Sequence, residues 1–133
     1  CLQEDSSRPA LVFMHHPPFI TGMGAMDEPF EGADLLRDVL SRAPWARLCC
    51  GHMHRPIFTA WAQGLALTVP SISMQIDLDL SPEGGDTFRM EMPGYMLHHW
   101  DGSHLNSHVC QIPADVDFSG PHPFADSVNP VED

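Results

Sequence analysis

The chain has 133 residues and an ordinary apolar fraction of 43%, enough for one domain with a real core and unlike a disordered or membrane-spanning composition. Lysine is absent, six arginines face 18 acidic residues, and the formal net charge of -12 argues against partners whose recognition depends on basic contacts to phosphate, namely nucleic-acid polymers and anionic membranes. No run approaches the roughly 20 apolar residues of a spanning helix, and the polar start has no signal-peptide layout. The four cysteines offer no disulfide framework, and buried free thiols fit a reducing cytoplasm, which is the expected location.

In chain order, residues 1–9 read as a severed linker or loop. Leu11–Met14 is a buried strand that empties into His15-His16-Pro17-Pro18, where the prolines restrict the backbone. Phe19–Glu31 carries two glycines, two methionines and Pro29, and reads as a loop able to overhang a site. Gly32–Ala43 is the one clear helix: Ala33, Leu36, Leu40 and Ala43, joined by Leu35 and Val39, form an apolar stripe, and Pro44 stops it. Ala46–Cys50 is a second short apolar strand, and Gly51 lets the backbone turn into His52-Met53-His54. Strand, helix and strand make a βαβ unit, whose strands should be parallel.

Beyond His54 the pattern is β. Ile57–Trp61 and Leu65–Val69 flank a hairpin turn, and Ile72–Leu80 alternates apolar and polar residues as a half-buried strand should. Phe88–Met92, Tyr95–Trp100 and Leu105–Ile112 are further strands, separated by Pro93-Gly94 and Asp101-Gly102. Residues 113–133 are a Pro/Asp-rich tail, leaving 10–112 as the domain.

Two apolar strands that each deliver histidine at the carboxyl end suggest one shared site, because ligands of open α/β sheets bind at that edge. In an extended segment the side chains of His52 and His54 point the same way, whereas His16 should point away from His15 and act from outside the ligand shell. Cys49 and Cys50 with His52 and His54 give a second possibility, a non-catalytic module with one structural zinc, although adjacent cysteines are poor zinc spacing. His98, His99, His104 and His108 read as solvent-facing strand residues; Met23, Met26 and Met53 read as packing residues.

The pair of motifs, His15-His16-Pro17-Pro18 and Gly51-His52-Met53-His54 with His52 37 positions after His15, resembles the C-terminal half of a binuclear, calcineurin-like metallophosphoesterase. It is most similar to the class III cyclic-nucleotide phosphodiesterases and the glycerophosphodiesterases. The resemblance runs from about Leu11 to Ile112 and includes Pro70-Ser71 with Gln75 and Pro93-Gly94-Tyr95. It implies half of an α/β/β/α sandwich, one βαβ unit followed by a mostly antiparallel β region. It also implies hydrolysis of a small phosphodiester by a metal-bridging hydroxide between two divalent ions (Mn, Fe, Zn or Co). His15 and His52 would serve one ion and His54 the other, with His16 in the surround and Gln75 as a substrate contact; Arg55, whose guanidinium fork matches a phosphate, reads either as a second substrate contact or as a solvated or salt-bridged surface residue. The family's Asp-x-His, bridging Gly-Asp and Gly-Asn-His, which its first half supplies, do not occur ahead of Leu11, so the chain is expected to be a half-site, inactive alone. An incomplete sheet leaves open edges, and a homo-oligomer is expected.

Overall fold

The computed structural model describes residues 2, 6–28, 30–85 and 87–112; the tail assignment at 113–133 lies outside the described residues. The element order is β1 (Ala10–Met14), a single 3-10 turn (Gly24–Met26), α1 (Ala33–Leu40), β2 (Ala46–Cys50), β3 (Phe58–Trp61), β4 (Gly64–Thr68), β5 (Gln75–Ile76), β6 (Phe88–Arg89), β7 (Gly94–Trp100) and β8 (Leu105–Gln111). It is a mixed α/β arrangement with one helix among the described residues.

The βαβ unit forms as the sequence predicts. β1 and β2 are parallel, with Val12 opposite Leu48 and Met14 opposite Cys50. β4 adds to the other side of β2 in parallel, and β3 pairs back on β4 to close a four-stranded sheet of order β1-β2-β4-β3. The β3–β4 turn uses Ala62 and Gln63 at φ 51° and 62°, the left-handed conformation that a two-residue hairpin turn requires.

Strand periodicity sorts β2 onto two faces. Ala46, Leu48 and Cys50 join Leu40, Ala43, Trp61 and Ala66 in the core beneath the helix. Arg47 and Cys49 face the other way, toward the β7–β8 hairpin. There Arg47 donates to Ser107 Oγ and, at 2.8 Å, to the Leu105 carbonyl, while Cys49 Sγ lies 3.7 Å from His98 Nε2. Helix and hairpin thus lie on opposite faces of the four-stranded sheet.

Three expectations are corrected. The helix is shorter, with Gly32 as a left-handed N-cap at φ 87° and an end at Ser41; Leu35 and Val39 lie on its flank, 73% and 53% exposed, because they sit off the Leu36–Leu40 stripe. The Ile72–Leu80 strand contracts to β5: Ile72, Leu78 and Leu80 are exposed, and Asp77 is held by Arg89, with two hydrogen bonds to its carboxylate. His98 is not solvent-facing. Its Nδ1 lies 2.6 Å from Ser107 Oγ, and burial followed by the Arg47 charge lowers its pKa.

Candidate metal centre

Parallel pairing in register is what brings the two histidine motifs together. Met14 sits opposite Cys50, and Gly51 N–H donates to Met14 O at 3.2 Å. The residues that leave β1 and β2 therefore emerge side by side at the carboxyl end of the sheet. Gly51 leaves room for the His15 ring. A Cβ there would lie 3.2 Å from His15 Nδ1, so any side chain presses on the imidazole it helps to place.

His15 and His52 have ring centroids 5.5 Å apart at an interplanar angle of 69°. His16 joins them, 4.8 Å from His15 and 4.2 Å from His52. One nitrogen from each of the three rings lies within 4.8 Å of the others, and among the described residues this is the one group of three or more potential ligands so gathered. The expectation that His16 points away is thus overturned. It assumed an extended backbone, but β1 ends at Met14 and residues 15 and 16 form a bend.

The geometry at His52 and His54 also differs from an extended strand. Both adopt left-handed backbone conformations, φ 64° and 50°, around Met53, which is fully buried. Non-glycine residues held there cost of order 1–3 kcal/mol each and cluster at functional sites. The twist separates the two rings. His52 goes to the three-imidazole group, whereas His54 turns toward Met74 and lies outside it.

Oxygen acceptors fix the far nitrogens of three imidazoles. His52 Nε2 lies 3.2 Å from Met26 O, His54 Nδ1 3.2 Å from Met74 O, and His16 Nδ1 3.2 Å from Glu28 Oε2. A ring that donates from one nitrogen carries its lone pair on the other, the arrangement metal-binding histidines use. Sequence reasoning missed these partners: a backbone carbonyl has no residue signature, and Glu28 sat in a loop read for its glycines, methionines and Pro29.

The remaining candidates are placed elsewhere. Arg55 donates to the Ile76 carbonyl and, at 3.0 Å, to Glu91 Oε1. Gln75 is 4% exposed and bonds Ser71 with both ends of its amide. Cys49 and Cys50 stand on opposite faces of β2, and neither joins a cluster of potential ligands among the described residues. Burial, partly offset by Arg47, raises the Cys49 thiol to about 11, and burial with the neighbouring Cys49 raises Cys50 to about 12. Among the described residues the structural-zinc arrangement at Cys49, Cys50, His52 and His54 is not gathered.

Thr68 holds the backbone just beyond the site. Its buried hydroxyl accepts from Ile57 N–H at 3.1 Å and donates to the Arg55 carbonyl. Thr68→Val keeps the shape but strands both backbone groups, and is expected to lower stability by about 1–3 kcal/mol in urea denaturation. A loss below about 0.5 kcal/mol would show that water satisfies them.

Fold and site together define an α/β protein with an imidazole cluster at the carboxyl ends of parallel strands. No protein-family model matches the chain. Curated proteins do. The probable glycerophosphodiester phosphodiesterase GpdQ of Arcobacter nitrofigilis is 35% identical, over 92% of this chain and 45% of that protein. The probable cyclic nucleotide phosphodiesterase RPA0124 of Rhodopseudomonas palustris is 32% identical, over 80% of this chain and 40% of its own length. The glycerophosphodiester phosphodiesterase GpdQ of Enterobacter lignolyticus is 30% identical, over 76% and 37%. The chain is related to these phosphodiesterases, consistent with the C-terminal half of a metallophosphoesterase, and it spans less than half the length of the curated relatives it matches. Among the described residues no helix is long and apolar enough to cross a membrane.

Proposed function

We propose that the chain is the histidine-bearing part of a metal-dependent phosphodiesterase, in which His15, His52 and His54 serve as ligands and the fold is half of an α/β/β/α sandwich. The observation that carries this reading is the meeting of His15 and His52, from two strand ends, at 5.5 Å between ring centroids. The donor set fits divalent metals: three imidazoles, of which His52 and His54 have their far nitrogens 3.2 Å from carbonyl oxygens. Bound divalent ions would supply an activated water and positive charge for the phosphate, which a chain of net charge -12 otherwise repels. Small phosphodiesters, glycerophosphodiesters or cyclic nucleotides, are the proposed substrates, as the relatives' names suggest.

Among the described residues the gathered group is three imidazoles, with Glu28 touching His16 from outside it, and this supports the reading of a half-site inactive alone. The experiment is a fusion of this chain behind the preceding portion of the Enterobacter lignolyticus relative, assayed with bis-(p-nitrophenyl) phosphate and Mn2+. Turnover in the fusion, absent from the chain alone and lost on His52→Ala, is expected. A folded, metal-loaded fusion without turnover overturns the phosphodiesterase reading, and robust turnover by this chain alone overturns the half-site.

A further inference from the structure

We propose that the β7–β8 hairpin is a pH-sensitive latch on the four-stranded sheet, closed while His98 is a neutral imidazole between Ser107 and Cys49, and loosened when that ring takes up a proton beside Arg47. The proposal draws nothing from the histidines at the carboxyl end of the sheet, and it stands or falls apart from the phosphodiesterase reading.

The polar ties from the sheet to the hairpin start at Arg47 and Cys49, and they converge on one ring and one hydroxyl. Ser107 Oγ accepts from Arg47 Nη1 and lies 2.6 Å from His98 Nδ1. On the other side of the ring, His98 Nε2 lies 3.7 Å from Cys49 Sγ. The ring also stands edge-on to Phe13, with centroids 6.4 Å apart. Phe13 and Cys49 are opposite one another in the β1–β2 register, so these contacts all fall on the face that the hairpin covers. Arg47 holds the same end of β8 a second time, at the Leu105 carbonyl.

A neutral ring satisfies this arrangement in either tautomer. Ser107 Oγ–H can donate to Nδ1 while Nε2–H points at the sulfur, or Nδ1–H can donate to Ser107 while Nε2 accepts from the thiol. An imidazolium has two N–H groups and no lone pair. It becomes a second cationic donor, beside Arg47, to a single hydroxyl, and its other N–H meets sulfur, a weak acceptor.

The groups facing the ring give the sign. From β2 come Arg47 and Cys49, the latter with its thiol raised to about 11; from β8 comes Ser107, from β1 the uncharged Phe13, and Arg8 lines the cavity that His98 also lines. Among the described residues no carboxylate is paired with His98; the histidine ion pairs are those of His16 and His104. Burial first, and the Arg47 charge second, hold the ring below the usual histidine range. A histidine with a lower pKa docked than free binds its proton preferentially when undocked. Docking is therefore strongest above about pH 6.5 and weakens as the pH falls below that value. An undocked two-stranded hairpin is marginal in water, so the loss spreads to its own ladder.

The test is amide hydrogen exchange of the full chain in EDTA, together with NMR titration of the histidine rings. From about pH 7.5 to about pH 5.5, after correction for intrinsic exchange, protection of the β7–β8 ladder should fall at least about threefold relative to β2 and β4. The His98 ring, identified by its loss in His98→Gln, should titrate below about pH 6.5 and move toward that value in Arg47→Gln. His98→Gln, which stays polar but takes no proton, should abolish the pH dependence of the hairpin, and His99→Gln on the outer face should retain it. Circular dichroism establishes that each variant is folded, and the wild-type titration and exchange decide the matter even where a variant is not. A His98 ring that titrates at or above about pH 6.5 overturns the proposal. So does hairpin protection that is indifferent to pH, or a pH dependence that survives in folded His98→Gln.

Discussion

Leu48→Ala is expected to cost about 2–5 kcal/mol, the range for removing a buried leucine from a packed core. Leu48 is 2% exposed at the middle of β2, in register between Val12 of β1 and Ala66 of β4. Its side chain lies in the cluster with Leu40, Ala43 and Trp61, where the helix covers the sheet. Small domains have roughly 5–15 kcal/mol in total, so the loss is a large fraction of what there is. Urea denaturation followed by circular dichroism checks it: the midpoint should fall with little change in slope. A loss below about 1 kcal/mol would mean that the helix does not seal this face of the sheet. The same strand ends at Cys50 and hands the chain to Gly51 and His52, so core packing and the placing of the imidazole share one element.

What the sequence disclosed follows from what side-chain pattern encodes. Leu11–Met14 and Ala46–Cys50 are apolar runs too short for helices, and the stripe between them has helical spacing, so the βαβ unit and its carboxyl-end histidines could be read directly. Ile72–Leu80 misled because alternation signals a strand only where a partner strand and a covering layer exist. Only Gln75 and Ile76 pair, with Arg89 and Phe88, and Ile72, Leu78 and Leu80 are left exposed. His16 misled for a related reason: alternation was carried one residue past the point where the strand bends. The left-handed conformations of His52 and His54 were illegible, since histidine has no strong preference that announces them; buried Met53 between them and the bond from Met53 N–H to Gly51 O, 2.7 Å, fix the turn instead. Arg47 is a charged residue in a buried strand, and its reason appears only with the hairpin it clamps 58 and 60 positions away.

Gly51→Val should separate stability from metal binding. Gly51 does not occupy a left-handed conformation, so valine brings no backbone penalty of that kind. The conflict is one of space. The first added carbon lies 3.2 Å from His15 Nδ1 and 3.7 Å from its Cε1, tighter than ordinary van der Waals contact at the nearer atom, and the branched methyls extend further into the ring. His15 is exposed and can swing aside, so the fold relaxes and the melting temperature moves little. The ring does not keep its place beside His52, however, and a metal held by both should lose at least about tenfold in affinity, the scale on which disturbed ligand orientation is felt. Gly51→Ala, with the carbon but not the methyls, should fall between. A valine variant that binds Zn2+ as tightly as the wild type would mean that His15 ligates from another rotamer, or does not ligate. A variant that unfolds would instead place the role of Gly51 in the β1–β2 junction, where its N–H donates to Met14 O. Measured together, Zn2+ affinity and melting temperature decide between these, because crowding of an exposed ring and rupture of a strand junction move them in different proportions.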